Sequence, residues 1–227
     1  MAARLPERGI PDVRLGTHER PLWRGRLHQW TALVVGPLAA VLVAVAPSAT
    51  ARVSAAIYGL CVTATFAVSA TYHRWVHTLR VRALMRRFDH ATIYLAIAGT
   101  YTPVCLVGLP LHWGIPMLAV VWAAATTGIV AKLSAWKRAP VVGAVLYGSM
   151  GWLAVLALPV MIRALGWLTF SLLLAGGICY TTGAIMFAKR WPRLRPAVFG
   201  FHEVWHIATV VAAGVQMAAI WRVVKAG

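Results

Sequence analysis

Residues 53–73 read VSAAIYGLCVTATFAVSATYH, 21 consecutive positions without Asp, Glu, Lys or Arg, closing on a histidine. At 1.5 Å per residue, a helix of that length covers about 31 Å, the thickness of a bilayer's hydrocarbon core. In lipid only helices and closed barrels satisfy the backbone, and this block is too long and too continuously apolar for a barrel strand. It therefore predicts a membrane-crossing helix. Working outward, blocks of similar length recur, giving expected spans at 27–46, 53–73, 89–109, 113–131, 141–161, 167–188 and 199–221. Pro37, Pro103 and Pro159 fall within spans and are expected to kink them, which neighbouring helices can accommodate. The fold class is an all-α, polytopic seven-transmembrane-helix bundle. It comprises residues 27–227, behind a polar, basic segment of residues 1–26.

Composition agrees. Hydrophobic residues make up 60% and charged residues 12% of the chain, about half the charge of a soluble domain. Residues 1–26 hold no apolar core followed by a cleavage site, so the first span is expected to act as the targeting signal. The net charge of +17 invites a nucleic-acid partner, but the basic residues sit in short connections between apolar blocks. Anionic headgroups attract juxtamembrane Lys and Arg in the same way, so the expected partners are membrane lipids and not nucleic acid. Cys61, Cys105 and Cys179 all lie inside spans, form no CxxC pair and read as small buried hydrophobes.

Lys and Arg also set the orientation. The N-terminal segment and the second, fourth and sixth connections carry eighteen of the 22 basic residues, and the other side only Arg52, Arg163, Arg222 and Lys225. This puts the N-terminus in the cytoplasm and, after an odd number of spans, the C-terminus outside.

Of five acidic residues, Glu7, Asp12 and Glu19 belong to the N-terminal segment, leaving Asp89 and Glu203 near the membrane. His73, His90, His202 and His206 lie at or within spans, and ionisable groups at that depth are costly and usually face a bundle interior. With the N-terminus inside, the second span ends at the cytoplasmic face, and the third and seventh begin there. His73, Asp89, His202 and His206 are therefore expected in one leaflet. His202 and His206 are four apart and share a helix face. His73 would add a third nitrogen and leave a position open, the pattern of a catalytic zinc site. Ser69, one turn before His73, could donate a hydrogen bond to a ligand or substrate. Asp89 could orient a ligand or accept a proton.

Plainer readings stand beside these. The histidine pair could be incidental, Asp89 could pair with Arg86 or Arg87, and Ser69 could bond back to the Thr65 carbonyl. His77 and His90 read as interfacial, His28 is open between the two kinds of role, and Trp75, Trp113, Trp167 and Trp221 read as interface anchors. Residues 202–206 also spell H-E-x-x-H, in which a metalloprotease uses the Glu as general base. No Asp, Glu, His or Cys follows His206 to supply the usual downstream ligand. Glu203 also points about 100° away from His202 on a helix and could meet Arg193 or Arg195.

Five segments together resemble one family. They are Ser69–His73 (SATYH), Phe88–Tyr94 (FDHATIY), Ile97–Pro103 (IAGTYTP), Gly176–Ala184 (GGICYTTGA) and His202–His206 (HEVWH). In order and spacing they resemble the haemolysin III family, the bacterial branch of the progestin and adipoQ receptor family that includes the adiponectin receptors. The likeness runs from about Glu19 onward. It implies a seven-helix bundle in the bacterial plasma (inner) membrane, with zinc held by His73, His202 and His206. Asp89 matches the family's third-helix aspartate, and Ser69 the serine before the first ligand. Related alkaline ceramidases carry a similar set and hydrolyse a lipid amide.

Two functions follow as expectations. One is zinc-dependent hydrolysis of a lipid amide or ester at the inner leaflet. The other is a non-enzymatic membrane sensor, regulator or pore-like protein with structural zinc.

Overall fold

The computed structural model describes residues 21–134, 140–195 and 197–227. The arginines of residues 1–20, and Lys137 and Arg138, lie outside them. The helices are α1 (Arg26–Ala44), α2 (Ala49–Arg74), α3 (Leu79–Pro103), α4 (Leu111–Leu133), α5 (Pro140–Trp152), α6 (Leu158–Ala188) and α7 (Phe201–Ala226). Among the described residues there is no strand beyond an isolated bridge between Arg195 and Phe199. Among the described residues six helical stretches are long and apolar enough to cross a membrane, the fifth of them the 44-residue run Val145–Ala188.

Sequential helices pack as neighbours, and α7 returns against α1, α2 and α3. The interior is built from small residues and a few large ones: Ala51, Ala55, Ala98, Ala125 and Ala219 lie beside Tyr58, Tyr94 and Ile220, all buried. Large apolar side chains face outward, with Leu60 72%, Leu156 73% and Trp167 69% exposed. That arrangement suits a lipid solvent, where tails reward apolar surface and small residues let helices approach. At Gly99 an added Cβ would lie 2.6 Å from the Cβ of Cys61, so α2 and α3 can cross this closely only with glycine there.

Two of the three prolines act at helix irregularities. Pro37 stays inside α1. Pro103 ends α3 and leads into a π-helical turn, Val104–Gly108, because its ring removes an amide and crowds the carbonyl four residues back. Pro159 starts α6 after a 3-10 turn, Leu153–Ala157. There the Tyr101 hydroxyl donates to the Met150 carbonyl at 3.0 Å and accepts from the Ala154 amide at 2.9 Å, satisfying backbone groups that the break releases. A sharper break follows at Gly166, non-helical at φ 73°, ψ 159°.

Helix α3 begins at Leu79, capped by Thr78, whose hydroxyl accepts from the Val81 amide at 3.3 Å. Asp89 thus sits nearly three turns into α3 instead of opening it. The basic stretch LRVRALMRRF before it is helical yet too polar to read as a span. Helix α2 ends at Arg74 and α7 starts at Phe201, so His73 and His202 lie where the spacing predicts. The chain before α1 runs beside the α6–α7 connection, with Leu22 N–H on Ala197 O at 3.2 Å and Trp23 N–H on Val198 O at 3.3 Å. Arg87 donates to the Leu133 carbonyl at 3.3 Å, so the described basic connections gather at one end. Trp75, Trp113 and Trp167 are exposed, whereas Trp221 packs partly against the core.

Candidate metal centre

The last turn of α2 and the first two turns of α7 bring His73, His202 and His206 together. One nitrogen from each lies within 4.8 Å of the other two. The ring centroids form a near-equilateral triangle, with sides of 4.8, 4.9 and 4.7 Å. His73 and His206 are buried and His202 half-buried. The Nε2 atoms of His73 and His202 face each other at 3.3 Å. A tetrahedral zinc with Zn–N near 2.05 Å separates its nitrogens by about 3.4 Å, so this edge already has the right length. His206 Nδ1 is buried without a hydrogen-bond partner among the described residues, a cost that a cation in the cluster would offset. Three imidazoles suit zinc and also iron, copper or nickel. The donor set fits a metal ion.

Glycine lets α2 approach the chain before α1 at this point. Gly25 has φ 75°, and a Cβ there would lie 2.7 Å from the Cβ of His73, so both backbone and space exclude other residues. On the far side, the Phe187 ring meets His202 edge to face at 5.1 Å.

Asp89 stands outside the three-nitrogen cluster, with the Ser69 hydroxyl as an electrostatic partner. Ser69 is buried. Its oxygen also lies 2.8 Å from His28 Nδ1, so the bond back to Thr65 is not what it makes. Thr65 instead spans the Cys61 and Thr92 carbonyls at 2.8 and 2.9 Å.

Glu203 has both carboxylate oxygens committed. Oε1 pairs with Arg24 Nε, and Oε2 accepts from the Gly200 amide at 2.7 Å, capping α7. The partner is Arg24, not Arg193 or Arg195, and the carboxylate is turned away from general-base work, against the protease reading of H-E-x-x-H.

His28, which the spacing left open, proves to belong here. It is buried, with Nδ1 on Ser69 and Nε2 2.9 Å from Thr209 Oγ1. Its ring lies parallel to His206, with centroids 3.8 Å apart and planes at 14°. Nothing in the local sequence marks it, because its role depends on α1 meeting α2 and α7.

Comparison with known proteins bears on the same segments. The family model described as "Haemolysin-III related" matches residues 17–217. The chain is similar to Hemolysin-3 of Bacillus cereus, 38% identical over 162 residues that cover 70% of each protein. It is also similar to a Hemolysin-3 homolog of Bacillus subtilis, 34% identical over 68% of this chain and 69% of that one. More distantly it matches the human monocyte to macrophage differentiation factor, 28% identical over 75% of this chain and 70% of the relative.

Proposed function

The chain belongs to the haemolysin III family, and from that premise we propose that it is a bacterial inner-membrane hydrolase. It would cleave a lipid amide or ester at the cytoplasmic leaflet with zinc held by His73, His202 and His206. The observation that carries this reading is the largely buried triangle of imidazoles, with one 3.3 Å nitrogen–nitrogen edge, whose three nitrogens leave a coordination position open.

Zinc would supply Lewis acidity at the scissile carbonyl, with one coordination position left open by three protein nitrogens. Asp89 would accept a proton from the attacking water as its oxygen bonds to the carbonyl carbon. Ser69 would turn its O–H from His28 Nδ1, 2.8 Å away at rest, to the oxyanion that develops. When the C–N or C–O bond breaks, Asp89 would return the proton to the departing amine or alcohol. The products would be a fatty acid and the freed headgroup fragment.

The test is turnover of N-acyl amide and acyl ester lipids by detergent-purified protein. Wild type should hydrolyse at least one class. His73→Ala should abolish turnover, Asp89→Asn should lower kcat by about 10²–10⁴-fold, and Ser69→Ala by about 10²-fold. Lack of turnover by metal-loaded, folded wild type across both classes would sink the reading.

A second reading rests on one observation, the name of the 38% identical relative, Hemolysin-3. If this chain itself permeabilised membranes, dye would leak from defined liposomes in proportion to protein added. The leak would survive Asp89→Asn and chelation.

A further inference from the structure

We infer that His28 is the positioning residue of this centre: stacked on His206 and hydrogen-bonded to Ser69 and Thr209, it holds a ligand and the oxyanion donor in one arrangement without being a ligand itself. The inference rests on the hydrolase reading above and extends it to a residue in α1.

Burying an imidazole is costly unless its polar atoms find partners. Both nitrogens of His28 do, at 2.8 and 2.9 Å, so neither lone pair is free for a metal. The partners come from two other helices, α2 and α7, and their donor capacities fix a direction. The Thr209 hydroxyl donates its one proton to the His206 carbonyl at 2.8 Å, so its oxygen accepts from His28 Nε2–H. That leaves His28 Nδ1 bare, to accept from the Ser69 hydroxyl. The run Ser69 to His28 to Thr209 to the His206 carbonyl ties α2, α1 and α7 together beside the three-nitrogen cluster.

The stack acts on the ligand set directly. Among the described residues no hydrogen bond reaches either ring nitrogen of His206, so whichever one binds the metal, the other does not set the ring plane. What flattens it is His28, parallel at 3.8 Å, itself braced edge-on by Phe66 at 5.0 Å. Metal-ligating histidines are usually oriented through their second nitrogen. Here the face of the ring is held instead.

The experiment measures Zn²⁺ affinity and the visible spectrum of Co²⁺-loaded full-length protein in detergent. The proteins are wild type, His28→Ala, His28→Phe and Val62→Ala, the last a core truncation two turns from Ser69 on α2. His28→Ala should weaken zinc binding by about 10-fold or more and shift the cobalt bands. His28→Phe, which keeps a flat ring against His206, should fall between it and wild type. Val62→Ala should lower the melting temperature and change neither readout. Wild-type affinity and cobalt spectrum in both His28 variants would overturn the inference and leave the hydrolase reading standing. Equal loss of affinity in Val62→Ala would also overturn it. If wild type binds neither metal, both fall.

Discussion

Glu203 is fully buried, and the side chain that neutralises it is Arg24, 179 positions earlier in the chain. The pair locks the segment before α1 onto the first turn of α7, between His202 and His206. Arg24 is 23% exposed, so its cost of burial is modest, but Glu203 without it would be an uncompensated charge. Breaking a buried pair from one side costs about 3–5 kcal/mol. Arg24→Ala should therefore lower the melting temperature markedly. Arg24→Leu combined with Glu203→Gln should recover much of the loss, since Gln can still accept from the Gly200 amide. Thermal melts in detergent check this, and an Arg24→Ala protein as stable as wild type would refute it.

Gly25 makes a second prediction. Its positive φ strains any L-residue by about 1–3 kcal/mol, and a Cβ would press on the Cβ of His73 at 2.7 Å. Gly25→Ala should therefore cost stability and weaken metal binding together, because the atom that must move belongs to a ligand. Zinc titration of the purified variant distinguishes this from simple destabilisation. A melting temperature that falls with unchanged metal affinity would show that His73 is not displaced.

The histidine triangle was legible because it needed only an i, i+4 spacing and the direction of each span. Three of its neighbours were not. Arg24, Gly25 and His28 sit at the entry to α1, and their roles depend on α1 and α7 touching, which no local pattern records. Asp89 was placed at the right end of the bundle but at the wrong point on its helix. A hydropathy reading stops where LRVRALMRRF turns basic, whereas the helix, with Thr78 as cap, does not.

Metal should also be measurable as stability. A ligand that binds only the folded state adds RT ln(1 + [L]/Kd), about 2.7 kcal/mol at a hundred times Kd. Chelation should lower the melting temperature of wild type and zinc should restore it. His73→Ala and His206→Ala should melt the same with or without zinc, while Asp89→Ala, outside the cluster, should still respond. A wild type indifferent to both chelator and zinc would reduce the three histidines to polar packing.

The remaining prediction concerns how often the chain crosses the bilayer. Val145–Ala188 is 44 residues long, which as straight helix would reach about 66 Å, twice what one crossing needs. Gly166 breaks it with a backbone conformation open essentially to glycine alone, and Arg163 lies three residues before that break. A cation there is costly within the hydrocarbon and comfortable at a surface. The stretch is therefore expected to cross twice, turning near Gly166 on the side opposite Lys189 and Arg190. In a variant lacking Cys61, Cys105 and Cys179, Arg163→Cys should react with an impermeant maleimide on intact spheroplasts. Lys189→Cys should react only after the membrane is opened. Labelling of both from the same side, or protection of position 163 under all conditions, would mean that the stretch does not turn back there, and a seven-crossing topology would be lost.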